Sequence, residues 1–306
     1  MTLLRALAFA LLAVAVRATP SAAQSSRSAV GDRRAQECPS CAEWNAPHAP
    51  FKVFGNTYDV GTAGLSSILI TGATGHILID GGLPESAPII AANIRAAGFR
   101  VEDVRLILNS HAHYDHAGGI AELQRMSGAR VAASPASARE ISTGRAEPDD
   151  PQYRIALAYP AASKVETFRD GDTLRVGSTS VVAHITGGHT AGGTTWSWRA
   201  CEGARCVDVV YADSFTPVSD DDFLFTNNRR YPRVIDDFAH SFALLDSLPC
   251  DLLLTPHPGA SHLWERLAKR DAGDAEALVA PGQCRAYAAT GRSMLAARVQ
   301  KQQDRR

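Results

Sequence analysis

The chain has 306 residues, 45% of them hydrophobic and 21% charged, with a formal net charge of −1. That composition is ordinary for a soluble globular protein of one or two domains. Near-neutrality excludes a surface built to hold nucleic acid or anionic membrane, so a substrate must be bound by a local site.

Residues 1–23 have the layout of a secretory signal peptide: Arg5 as the charged start, an apolar run from Ala6 to Val16, then Ser21-Ala22-Ala23 before Gln24. The run is too short to span a bilayer as a helix. Cleavage near Ala23 and a periplasmic or secreted chain with no stable membrane association are expected. Residues 24–50 form an N-terminal extension, Ser/Arg-rich over 24–37, and residues 51–306 read as a single domain. Six cysteines in an exported chain suggest disulfides. Proximity pairs them as Cys38/Cys41, Cys201/Cys206 and Cys250/Cys284.

Further along the chain, strands are predicted at 56–60 and 66–71, and a buried strand at 76–82 ends in a Gly turn. A helix follows over 89–97, with Gly98 as its stop. The strand 104–109 runs directly into Ser110-His-Ala-His-Tyr-Asp-His116. After Gly118-Gly119 come a helix to about Met126, a strand over 130–134 and a short helix over 135–141. Residues 142–161 lack a period and read as a loop bordering the site. A strand over 180–185 ends at Thr186-Gly-Gly-His-Thr190, and a strand pair flanks Cys201/Cys206. The helix 235–245, a short strand to Thr255 ending at Pro256-His-Pro-Gly259, and a terminal helix from Gln283 complete the pattern. Alternating strands and helices fit an α/β layered domain with helices outside.

The His-bearing motifs all sit just after strands, where loops gather at one rim. Zinc takes imidazole nitrogen and carboxylate oxygen. On an extended stub, His111 and His113 point to the same side. Asp115 and His116 follow a bend and face a neighbouring point, so one segment can feed two metals about 3.5–4 Å apart. His189 and His257, each flanked by Gly or Pro, are the best candidates to complete the two coordination spheres. Six ligands leave room for water at a pair of metals, unlike a closed structural site. His48, His76, His184, His240 and His262 lack such settings and read as ordinary histidines, although His262 is near enough in sequence to His257 to approach the site.

H-A-H-Y-D-H, then G-G-H-T, then P-H-P-G, with L-I-D-G-G at 78–82, resembles the metallo-β-lactamase superfamily over nearly the whole chain from Phe51. The resemblance implies an αββα sandwich, two mixed sheets with helices on the outer faces and the metals at one edge. Y-A-D-S at 211–214, with Ser where other subclasses use a Cys ligand, T-P-H-P-G-A at 255–260 and the pair Cys250/Cys284 look like the third subclass of true metallo-β-lactamases. That likeness implies one zinc on His111, His113 and His189 and a second on Asp115, His116 and His257. It further implies opening of a small-molecule β-lactam by attack of a zinc-held hydroxide that Asp115 orients, and so antibiotic resistance. Ser214 and Thr216 are expected to meet the substrate carboxylate, and Asp80 to fix the metal loops. Glyoxalase-type and lactonase relatives bridge both metals with an Asp in this region, but beside Ser214 Asp213 is read as supporting structure instead. A monomer is expected. The rival readings are a secreted lactonase or thioesterase on the same scaffold, and a non-enzymatic zinc-binding protein.

Overall fold

A computed structural model describes residues 38–304; the expected signal peptide and the segment 24–37 lie outside the described residues. Among the described residues twelve strands form two sheets. The first contains β1 (Phe51–Phe54), β2 (Thr57–Asp59), β3 (Ile68–Ile70), β4 (His76–Ile79), β5 (Val104–Leu108), β6 (Arg130–Ala133) and β7 (Val165–Thr167), in that spatial order. It is antiparallel from β1 to β4 and parallel from β4 to β7. The second runs β12 (Leu252–Leu254), β11 (Arg205–Tyr211), β10 (Thr194–Glu202), β9 (Thr179–Ile185), β8 (Thr173–Val176), with only the β11–β12 pair parallel.

The strands alternate faces, and both faces are buried, which is why they read as near-continuous apolar runs. Ile68, Ile70, Ile77, Ile79, Leu106 and Leu108 of the first sheet share one core with Val209, Tyr211, Leu252 and Leu254 of the second. The intervening Leu69, Leu78 and Ile107 pack instead under the helices α2 (Ala87–Ala96), α4 (Ile120–Ser127) and α5 (Pro135–Thr143). On the far side Val210 and Leu253 meet α6 (Val234–Ser247) and α8 (Gln283–Gln303). The result is the expected αββα sandwich. Two short helices, α1 (Cys41–Trp44) and α3 (Tyr114–Ala117), border the site, and α7 (Leu263–Asp271) follows β12.

Residues 40–50 pack with this unit, which begins at Ser40. Trp44 O accepts from Gly64 N–H at 3.1 Å, and Ala46 O from Ala63 N–H at 2.8 Å. Among the described residues no helix is long and apolar enough to cross a membrane.

Disulfides join Cys201 to Cys206 across the β10–β11 hairpin and Cys250 to Cys284 between β12 and α8. Cys38 and Cys41 are disulfide-bonded as well. The Cys250–Cys284 bridge spans 34 residues. Chain entropy assigns such a loop about 3–4 kcal/mol. Replacing both cysteines by serine is expected to lower urea-unfolding stability by roughly that amount; a loss below about 1 kcal/mol would show that the bridge constrains little.

Candidate metal centre

Strand ends deliver the site. Asp80 follows β4, His111 and His113 follow β5, His189 follows β9, Asp213 follows β11 and His257 follows β12. Past Leu108, Ala112 joins the helix-side core, while the rings of His111 and His113 lie together, 4.8 Å apart. Tyr159 O–H pins that stub by donating to Ala112 O at 2.6 Å. The chain then enters the single turn of α3, with His113 at its N-cap, which brings Asp115 and His116 onto the same side.

The ligand-capable atoms of His111, His113 and His189 lie within 4.8 Å of one another, and so do those of His111, Asp115 and His116. His257 joins from the far side. Its Nε2 is 3.3 Å from Asp115 Oδ2, and its ring lies 4.9 Å from that of His116. The fold therefore brings together all six residues singled out from the sequence. It keeps the other histidines away: His262 is exposed beside Glu265, His184 bonds Ser197 at 2.8 Å, and His48 stacks on Trp264.

Four of the five imidazoles have one nitrogen held from behind. His189 Nδ1 lies 2.6 Å from Thr216 O, and His257 Nδ1 lies 3.3 Å from Gly64 O. A carbonyl can only accept, so both Nδ1 atoms carry the proton and both Nε2 lone pairs face the cluster. His111 Nδ1 meets Asp213 Oδ1 at 2.8 Å. His113 uses the opposite nitrogen, with Nε2 3.0 Å from Asp150 Oδ2, which turns Nδ1 inward. Backing of this kind fixes tautomer and orientation in metal-ligating histidines. His116 differs: its ring is buried, and neither nitrogen has a hydrogen-bond partner, Nε2 standing 3.2 Å from Asp115 Oδ2. A buried polar ring without a partner is costly unless something fills its lone pair. A divalent cation fits that role, and the donor set of imidazoles and one carboxylate suits zinc.

Burial favours the neutral imidazole at two of the rings, His111 and His189. Burial, helped by the neighbouring rings of His116, His189 and His113, holds His111 well below its usual range. Burial and His113 lower His189 to about 3. Burial opposes ionisation of Asp115, yet His116 and His257 outweigh it and keep that carboxyl well below its ordinary value. For His113, burial is outweighed by Asp150, which raises it to about 9.

Behind the ligands lies a second buried carboxylate. Asp80, in a left-handed conformation (φ 67°), accepts from Ser110 N–H (2.6 Å), Ser110 Oγ–H (2.7 Å) and Tyr211 O–H (2.6 Å). It thus locks the end of β5 to β4 and β11. Asp213 sits behind His111, where a side chain at Gly193 would strike its Oδ2, and it takes no part in the grouped ligand atoms. Ser214 is buried beside Asp213 in the chain. Thr216 is engaged with His189 through its carbonyl, with Oγ1 at 3.3 Å from the same nitrogen.

Sequence reasoning missed Asp150, Gln152 and Trp44. Asp150 and Gln152 lie in the loop expected to border the site, and the Gln152 amide stands 3.4 Å from His113 Nδ1. Trp44 packs on the His257 ring at 5.0 Å. An acid in an aperiodic loop carries no local signal that it will back a histidine 37 residues earlier.

With this geometry, relatives become informative. The family model for the metallo-beta-lactamase superfamily matches residues 61–283. The chain belongs to the metallo-beta-lactamase superfamily. Among solved structures, the Rm3 metallo-beta-lactamase is 53% identical with a TM-score of 0.85, covering 87% of this chain and 99% of that one. MEM-A1, a subclass B3 metallo-beta-lactamase from a soil metagenome library, is 42% identical with a TM-score of 0.84, covering 86% of this chain and 100% of the other. SMB-1 is 41% identical with a TM-score of 0.81, covering 85% and 99%. A hydroxyacylglutathione hydrolase of Rhodopseudomonas palustris is 36% identical over 120 residues, 39% of this chain and only 36% of that protein's length. The superfamily fold and the His-rich cluster support a metal cofactor.

The loop that presents Gly64 O to His257 starts at Asp59. Burial pushes the Asp59 carboxyl from 3.8 up to about 7, against the opposing Gly61 N–H and Ser66 hydroxyl. A carboxyl raised on folding stabilises the protonated form, so stability falls as pH climbs from the unfolded carboxyl range through about 7. Asp59→Asn keeps an acceptor for Gly61 and is expected to be more stable than the parent at about pH 8, with the advantage gone near pH 4. Urea unfolding at both values checks this; parallel pH profiles for the two proteins would contradict it.

Proposed function

We propose that this chain is a zinc-dependent β-lactam hydrolase that holds a pair of zinc ions. In this reading His111, His113 and His189 hold one ion, and Asp115, His116 and His257 hold the other. The observation that carries it is the convergence of these six side chains in a chain 53% identical to the Rm3 metallo-beta-lactamase over 99% of that structure. When bound, zinc polarises a carbonyl and lowers the pKa of water to near neutrality.

This chain's own residues do the rest. Asp213, Asp150, Thr216 and Gly64 aim the imidazoles inward, so no reorganisation is needed at the moment of reaction. Asp115, kept ionised by His116 and His257, accepts a hydrogen bond from the attacking water and turns its lone pair toward the lactam carbonyl. Ser214 and Thr216 meet the substrate carboxylate. No serine nucleophile is required. The partial likeness to hydroxyacylglutathione hydrolases favours thioester cleavage as the second reading. Against it stands Asp213, whose Oδ1 is engaged with His111 behind the cluster. Export with cleavage near Ala23, a monomeric state and a role in antibiotic resistance belong to the proposal and rest on the sequence pattern and the family.

Purified protein should turn over a chromogenic cephalosporin but neither a simple lactone nor a glutathione thioester. A chelator should abolish the activity and added zinc restore it. Thioester turnover with no cephalosporin turnover would overturn the reading. His189→Ala is expected to halve zinc content and to cut turnover by more than the roughly 10–100-fold typical of losing an outer hydrogen-bond partner; unchanged zinc content would refute its role as a ligand.

A further inference from the structure

Two long loops carry the groups behind His113 and His189. Asp150 holds His113 Nε2 from the loop after α5, and Thr216 O holds His189 Nδ1 from the loop after β11. Neither loop contains a strand or a helix between 144 and 164 or between 212 and 233. Something must keep them in place relative to each other, or the two imidazoles lose their common aim.

Asp220 does this. Its backbone N–H donates to Pro151 O at 2.9 Å, the carbonyl of the residue next to Asp150. Its carboxylate accepts from Arg154 N–H at 3.4 Å on the same loop. Asp220 is 3% exposed, so an ionised carboxylate there needs a partner. Arg230 supplies it: Nη2 donates to both carboxylate oxygens at 3.2 Å and Nη1 to Oδ2 at 3.3 Å, and its guanidinium lies 5.2 Å over the Phe223 ring. The planar fork suits two oxygens in a way an ammonium does not. Helix α8 braces the same segment: Gln302 bonds Phe223 O at 2.9 Å and accepts from Phe225 N–H at 3.0 Å, and Arg298 donates to Ser219 Oγ at 2.8 Å. Three of the large exposed hydrophobics, Tyr153, Ile155 and Val218, lie on the two loops this pair joins.

We propose that Asp220 and Arg230 are a positioning pair: Arg230 anchors the buried Asp220, whose bonds to Pro151 and Arg154 clasp the Thr216 loop to the Asp150 loop, and the pair so sets the separation of the His113 and His189 imidazoles. This rests on the metal reading above. The clasp acts through backbone that the ligands' own partners stand on, and it touches neither metal nor substrate. Loosening it should free both loops together and weaken the hold on the ion shared by His113 and His189.

The test compares full-length zinc-loaded parent, Arg230→Ala, Arg230→Lys and the control Arg154→Ala. The control removes only an exposed ion pair with Asp222 and leaves the Arg154 N–H contact intact. Hydrogen exchange is followed over 150–156 and 216–222, alongside the rate of zinc loss to a chelator. Arg230→Ala is expected to speed exchange in both segments together and zinc loss by about ten-fold, the lower end of outer-partner effects. Arg230→Lys should fall between, keeping the charge without the fork, and it carries the same outcomes if Arg230→Ala fails to fold. The control should match the parent. Exchange that rises in one segment alone, or zinc retention unchanged while both loosen, would overturn the clasp. A parent that takes up no zinc would sink the metal reading instead, while the exchange comparison would still decide whether the loops are joined.

Discussion

A histidine can serve a metal only when the right nitrogen faces it unprotonated, and at this site that requirement is met from behind. Thr216 O and Gly64 O leave His189 and His257 no choice of tautomer, because a carbonyl cannot donate. Asp213 and Asp150 hold His111 and His113 from behind through opposite ring nitrogens. The backing groups come from three separate connections, with Asp213 and Thr216 sharing the loop after β11, so the inward-facing geometry depends on how both sheets and their connections are held. His116 alone has no such partner, and its buried ring is where the site most needs an ion.

The sandwich supplies that hold. Apolar runs buried on both faces place β4, β5 and β11 at or beside the centre of their sheets and β12 at the edge next to β11, and their ends carry the site. Cross-links between the sheets then fix the ends. Trp196 Nε1–H donates to Asn109 O at 2.9 Å, Thr194 N–H to Ser110 O at 2.7 Å, and Tyr211 O–H to Asp80 at 2.6 Å. A rigid rim and polar groups that are satisfied before substrate arrives are what a hydrolytic site requires.

Much of this was legible in the sequence. The central strands and the helices packed on them announced themselves by apolar period, and the His motifs by their position after strands. The edge elements did not. Strand β7 and strand β8 are largely exposed and only three and four residues long, so no alternation marks them. Helix α7 is capped by His262, a left-handed residue whose side chain makes no capping bond, so the usual start signal is missing. The backing groups were half legible: Asp80 and Asp213 sit in recognisable turns beside strands, whereas Asp150, Trp44 and the Gly64 carbonyl act through long-range contacts that no local pattern encodes.

The most direct test of the central claim is anomalous diffraction from crystals of the purified protein, collected on either side of the zinc edge. The account expects two zinc peaks, one bounded by His111 Nε2, His113 Nδ1 and His189 Nε2, the other by Asp115, His116 and His257. A single peak away from these atoms, or coordination through His113 Nε2 in place of Nδ1, would contradict it.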